Sequence, residues 1–191
     1  GTGPANADRA LRKAHLARDS TELSEYLQDI SNTVNGSIDN NQTVLVEGTQ
    51  GTFLSLYHGT YPYVTSKDVT ASAICSDVGI GPKKVSEVMV VYKSYVTRVG
   101  SGPLEGELKQ EETTSKGWTE YGSVTGRLRR AAPLNFDLAK RSIMLNSATQ
   151  IALTKLDIVF PSDAGKRQFD NLSSDAKRFV NNIEKEVGLK V

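Results

Sequence analysis

Apolar residues fall along this chain in two patterns, one at helical spacing and one in short continuous runs. From about Asp8 to Arg18, Ala10, Leu11, Ala14 and Ala17 make one stripe among Arg9, Arg12, Lys13 and Arg18, which predicts an amphipathic helix. Leu23, Leu27, Ile30 and Val34 predict a second helix, with Ser20 or Thr21 as its cap and Gly36 suited to its end. After the Asn40-Asn41 turn, Thr43-Val44-Leu45-Val46 reads as a strand buried on both faces. Further strands are predicted over Val85 to Val96 and Gln150 to Thr154, and Leu189-Lys190-Val191 has the character of another strand's start. Helices are predicted over Asp68 to Val78, Asn135 to Asn146 and Ser173 to Val187, the last stopped by Gly188. Residues 105 to 117 are polar and predict a loop or a short exposed helix. Strands alternating with amphipathic helices imply an α/β fold with a mostly parallel sheet, whose ligands bind at the carboxyl ends of the strands. The loops after Val46, Val96 and Thr154, and the separate basic loop near Arg127, are therefore the places to look for chemistry.

Composition narrows the function classes. The 191 residues carry 23 Lys+Arg against 22 Asp+Glu, a net charge of +1, which argues against a surface built throughout for a polyanion such as nucleic acid. Runs such as Val88-Met89-Val90-Val91 fall far short of a membrane span, and no leader opens the chain, so a soluble protein is expected. One cysteine, Cys75, and two histidines supply neither an internal disulfide nor a structural zinc site, as expected of an intracellular protein.

Four loops carry candidate chemistry. Glu47-Gly48-Thr49-Gln50-Gly51 is either an ordinary strand-to-helix turn or a tight turn that projects Gln50 at a ligand. In His58-Gly59-Thr60-Tyr61-Pro62-Tyr63-Val64-Thr65-Ser66, the Thr65 and Ser66 hydroxyls with N–H groups of the following helix start form a phosphate seat, or else a hydroxyl cap with aromatic packing. His58 is open to two readings, a catalytic base or, as is more common for a lone loop histidine with no evident carboxylate partner, a structural or solvated residue. Gly122-Ser123-Val124-Thr125-Gly126-Arg127-Leu128-Arg129-Arg130 sets three guanidinium groups within four positions, suited to an anionic substrate. A solvated charge run or an RNA-contacting patch competes with that reading, without the interleaved aromatics of a base-stacking surface. In Thr154-Lys155-Leu156-Asp157 the aspartate can accept the N1–H and 2-amino hydrogens of guanine while the Lys155 stem lies along the base; the alternative is a surface Lys-Asp turn. The glycine-rich phosphate loop of nucleotide-cleaving enzymes is absent, and Ala164-Gly165-Lys166-Arg167 fails its pattern.

Taken in order, Val44 to Gly51, His58 to Ser66, Thr97-Arg98-Val99-Gly100-Ser101-Gly102-Pro103, Tyr121 to Arg130 and Thr154 to Asp157 resemble the adenylosuccinate synthetase family, most closely its short archaeal-type form. The resemblance implies a P-loop NTPase-like α/β fold, here incomplete because the first strands are missing. It implies GTP-dependent ligation of IMP to L-aspartate through 6-phosphoryl-IMP in AMP synthesis, with Mg²⁺, as a cytoplasmic homodimer. Carried over by position, Gln50 contacts hypoxanthine, Thr65 holds the IMP 5′-phosphate, Arg127 serves IMP with Val99 nearby, and Arg12 reaches the same phosphate across the dimer. Ser123, Val124, Thr125, Gly126, Arg127, Leu128 and Arg129 form the aspartate loop, Arg129 also touches GTP, and Lys155, Leu156 and Asp157 take the guanine. Leu128 stands where many members have arginine, and Leu104-Glu105-Gly106-Glu107 departs from the commoner Phe-Pro-Thr-Glu segment. The family's phosphate loop, catalytic Asp and His and Mg²⁺ ligands have no counterpart in these residues. The expectation is a non-catalytic piece of a longer, single-domain enzyme; a related synthetase acting on dGMP and a non-catalytic nucleotide-binding protein are the alternatives.

Overall fold

The computed structural model describes residues 2–191, which pack as two units, one ending at Ser86 and the other running Glu87–Val191. In the first unit, α1 (Thr2–Ala10) ends where Arg12 takes a φ of 62°. There the Lys13 N–H donates to the Asp8 carbonyl at 2.9 Å and the Arg12 N–H to that of Arg9 at 3.1 Å, the paired bonds of a Schellman end. The helix expected over 8–18 therefore lies earlier in the chain and stops at Ala10. Its apolar stripe finds no core to face: Leu11 is 67% exposed, and a short helix draws most of its stability from a packed face.

Two short 3₁₀ turns, Ala17–Asp19 and Thr21–Tyr26, precede α2 (Ile30–Asp39). Asp29 supplies its cap by accepting the Asn32 N–H at 3.0 Å, so the second helix starts later than Ser20 or Thr21 would set it and Gly36 lies inside it. Thr43 to Val46 is not a buried strand. It has no ladder partner among the described residues, and Leu45 is 90% exposed while Val44 and Val46 are half-buried. Helix α3 (Ala71–Val78) closes at Gly79 in the left-handed conformation.

The second unit holds two two-stranded sheets. Strand β1 (Met89–Lys93) pairs in parallel with β4 (Gln150–Thr154), Lys93 opposite Thr154, while β2 (Tyr95–Val99) pairs antiparallel with β3 (Arg129–Pro133), Val99 opposite Arg129. The single strand expected over Val85 to Val96 is thus two strands with different partners. Buried Ser94 is the junction: its N–H and hydroxyl both donate to the Thr154 carbonyl at 2.9 Å, after which the chain turns to β3. Alongside the parallel pair, therefore, the unit contains an antiparallel ribbon.

Helix α4 (Gln110–Ser115) falls in the polar stretch before β3. Helix α5 (Phe136–Asn146) is capped by Asn135, which accepts the Leu138 N–H at 2.9 Å, and α7 (Ser174–Val187) by Ser173, with Gly188 ending it. Between them, α6 (Leu156–Val159) follows β4 directly. Ala176, Val180 and Ile183 are the buried face of α7, spaced at one-turn intervals. Val90 and Ile151 pack with Ile143 of α5 and Val187 of α7 to cover one face of the parallel pair. A second cluster sets Tyr95 on Trp118, rings stacked at 4.6 Å and 9°, against Ala131. Leu189 to Val191 forms no strand, though the Lys190 carbonyl accepts the Ile151 N–H at 3.1 Å. No helix among the described residues is long and apolar enough to cross a membrane.

Candidate active site

In the first unit the loop from His58 to Ser66 is held by a buried hydroxyl. Ser55 Oγ donates to Asp68 Oδ1 at 2.7 Å and accepts the N–H groups of Tyr57 and His58, while the Thr65 N–H donates to the Leu54 carbonyl at 2.7 Å. Gly59 is required here, since a Cβ on it would lie 2.4 and 2.5 Å from the Phe53 and Ser55 carbonyl oxygens. The Asn6 amide of α1 donates to Ser66 Oγ at 2.6 Å, so α1 and this loop are tied together.

The phosphate seat expected from Thr65, Ser66 and a helix start is not built that way. Helix α3 begins only at Ala71, and the N–H groups of Val69 and Thr70 ahead of it already bond to the Asp68 carboxylate. Burial pushes the Asp68 carboxyl up, but its bonds from Ser55 and Thr70 outweigh this and hold it below the usual range. His58 is exposed, and its imidazole meets no carboxylate among the described residues.

In the second unit the basic loop is a hairpin. The Arg129 N–H donates to the Glu120 carbonyl at 2.8 Å, Tyr121 bridges Leu128, and the Gly122 N–H donates to the Arg127 carbonyl at 2.8 Å. Val124 at its tip is 94% exposed. The three arginines expected to share one free loop have different employment. Arg129 and Arg130 belong to β3. Arg130 forks onto the Glu107 carboxylate and donates to the Gly100 and Gly102 carbonyls at 2.9 Å. Arg129 Nη1 lies 3.4 Å from Glu120 Oε2. The exposed Arg127 side chain meets no polar partner among the described residues; with Leu128 and Arg130 it lines one open groove beside Gly100, Ser101 and Gly102.

At the carboxyl ends of β1 and β4 the charges converge. Glu120 Oε2 accepts Lys93 Nζ at 2.9 Å and Oε1 accepts the Tyr95 hydroxyl at 2.7 Å. Lys155, between β4 and α6, and Asp157, in the first turn of α6, act electrostatically on this cluster, Lys155 on Glu120 and Asp157 on Tyr95. Burial pushes the Glu120 carboxyl up, but the bonds from Tyr95 and Lys93 and the neighbouring lysine charge hold it below its usual value. Burial and the bond to Glu120 push the Tyr95 phenol far up, and burial pulls Lys93 down.

The motifs that flank this cluster are those of a recognised family: the adenylosuccinate synthetase family model matches residues 5–164. The chain belongs to the adenylosuccinate synthetase family. The adenylosuccinate synthetase of Methanocaldococcus jannaschii is 54% identical over all 191 residues, which cover 55% of that protein. That of Pyrococcus horikoshii is 52% identical over the whole chain, covering 56% of its length. The chain thus spans little more than half the length of the curated relatives it matches. Among solved structures, fully ligated adenylosuccinate synthetase from Plasmodium falciparum superposes with a TM-score of 0.82 at 29% identity, covering 88% of this chain and 51% of that one. The succinoaminodeoxyadenylate synthetase of cyanophage S-2L, bound to dGMP and to dATP as an energy donor, shares the fold, with a TM-score of 0.65 at 24% identity, covering 84% of this chain and 53% of that one.

Within this family member, sequence reading missed Lys93, Tyr95 and Glu120. A signal for the first was there, because Lys93 ends an apolar strand run as Lys155 does. Among the described residues Gln50 and Lys155 take positive φ, as do Asn41, Arg12 at the end of α1 and Ser147 at the end of α5.

Proposed function

We propose that the whole protein ligates IMP to L-aspartate, forming adenylosuccinate with release of GDP and phosphate, as a cytoplasmic homodimer serving AMP synthesis. The observation that carries this reading is an arginine hairpin set beside the Lys155-Leu156-Asp157 turn at the ends of parallel strands, in a chain of this family.

Aspartate is a dicarboxylate, and Thr125, Arg127 and Arg129 supply one hydroxyl and two guanidinium forks for it, with Ser123, Val124, Gly126 and Leu128 forming the loop that carries them. Closing that exposed loop excludes water and strengthens each charge-assisted bond. Asp157 accepts the N1–H and 2-amino hydrogens of guanine, Lys155 and Leu156 lie beside the base, and adenine, with an acceptor at N1, is refused. Arg129 reaches GTP as well. On the IMP side Gln50 meets the hypoxanthine, Thr65 the 5′-phosphate and Arg127 the nucleotide near Val99, while Arg12 reaches the phosphate in the other subunit. Once the IMP oxygen at C6 carries a phosphoryl group, the amino group of aspartate, presented by its clamped carboxylates, displaces phosphate from C6.

Among the described residues no three His, Cys, Asp or Glu side chains gather in one cluster, and Mg²⁺, which takes one or two carboxylates together with substrate phosphates, is expected to be held by residues outside this chain. Neither Mg²⁺ coordination nor the general acid and base is assigned to any of them.

The test is chromatographic detection of adenylosuccinate made by the purified full-length protein from IMP, L-aspartate and GTP. No product overturns the reading; faster turnover of dGMP than of IMP replaces it with the dGMP synthetase, and nucleotide binding without turnover with a binding protein.

A further inference from the structure

Glu120 has no role in the reading above, yet it is where the second unit's functional strands meet. Its side chain is only 17% exposed, and it accepts from the last residue of β1 (Lys93), the first of β2 (Tyr95) and the first of β3 (Arg129). Its backbone closes the hairpin as well, through the Arg129 N–H. Burial first, and then the neighbouring charges of Arg129 and Lys155, lower the affinity of Lys93 for its proton, while Glu120 raises it. A carboxylate among like charges offsets their repulsion. Arg129 has little else to hold it. Its Nε is buried without a hydrogen-bond partner among the described residues, and the Nη1 contact to Glu120 is a long one.

We propose that Glu120 is the positioning residue of the arginine hairpin, fixing Arg129 at the hairpin base and balancing Lys93 so that Arg129 and Lys155 are presented to the anionic substrate and to GTP. The proposal rests on the ligase reading. Through Glu120, the ends of β1 and β2 are joined to the base of the hairpin at β3, and β1 is in turn the parallel partner of β4, which leads into the guanine turn. Tyr95 orients the carboxylate, and its ring is held in turn by the stack on Trp118.

The experiment compares full-length wild-type protein with Glu120→Gln, Glu120→Asp and Glu186→Gln. The last removes a surface carboxylate paired with Lys140 at 3.1 Å, which has no part in the site. Glu120→Gln keeps an oxygen for Tyr95 but loses the charge, so the KM values for aspartate and GTP rise about tenfold or more while that for IMP changes by less than about threefold. Glu120→Asp recovers part of the loss, and Glu186→Gln behaves as wild type. A fall in kcat with all three KM values unchanged, or an equal rise in the KM for IMP, overturns the proposal, because a merely structural residue gives one of those results. In the same proteins, amide hydrogen exchange at Gly122 and Arg129 is expected to be faster in Glu120→Gln; unchanged exchange overturns the proposal. If wild type makes no adenylosuccinate, the ligase reading falls and the exchange result alone decides the role of Glu120 in the hairpin.

Discussion

Tyr95 offers the sharpest quantitative check on how the second unit is held together. It is 1% exposed, its hydroxyl donates to Glu120 Oε1 at 2.7 Å and its ring stacks on Trp118. Tyr95→Phe removes the hydroxyl alone. A hydrogen bond to a charged group contributes about 1.5–3 kcal/mol, and because Glu120 keeps Lys93 and Arg129, about 1.5 kcal/mol is the expected loss. Tyr95→Ala also empties the ring's place beside Trp118 and Ala131, for which about 3–5 kcal/mol is expected. The assay is urea unfolding followed by the fluorescence of Trp118, the only tryptophan in the chain, which sits on the perturbed ring. Emission of the folded Phe variant should match wild type, since the stack is intact, while that of the Ala variant should shift.

The cost of Tyr95→Phe should also depend on pH. The folded Glu120 carboxyl titrates below its usual 4.5, so the stability it contributes is complete above that value and is lost as pH falls through its lowered folded pKa. The two proteins should therefore converge in stability in acid. A Phe variant within about 0.3 kcal/mol of wild type at neutral pH would show that the hydroxyl is not bound to a charged carboxylate. An Ala variant no less stable than the Phe variant would refute the stack as the anchor of that cluster.

Two further outcomes are expected. Lys166, then Ser173, hold the Asp163 carboxyl down to about 2 from its usual 3.8, so the stability it contributes is present above 3.8 and disappears as pH falls through about 2; Asp163→Asn should remove that part of the acid transition, read as thermal unfolding at stepped pH. Arg130→Lys keeps the charge but loses the fork onto Glu107 and the paired reach to the Gly100 and Gly102 carbonyls, so amide exchange in the Gly100 to Gly102 loop should speed up while α7 is unaffected.

Local chemistry explains which elements were legible in the sequence. Asn135, Ser173 and Gly188 cap their helices with bonds made within a few residues, so α5 and α7 begin and end within a residue of where their patterns predict, and β4 spans the same five residues. The helix over Asp8 to Arg18 failed for the complementary reason: an amphipathic stripe is a request for a partner surface, and Leu11 has none in its unit. Of the Val85 to Val96 run only the part from Met89 onward is β-structure, and nothing local reveals that it is divided at Ser94 between partners at residues 150–154 and 129–133.

The candidate site divides in the same way. The sequence by itself determined the family, the order of the loops and the residue types offered to anions and to guanine, because motif and spacing are properties of the chain. Only the tertiary structure decided which of those groups are free to act. It commits Arg130 to Glu107, draws Arg129 to Glu120, leaves Arg127 at an open groove and brings Lys93, Tyr95 and Glu120 into the cluster. The reason is physical: charge pairing and burial depend on distances between residues that lie far apart along the chain, and folding alone sets those distances.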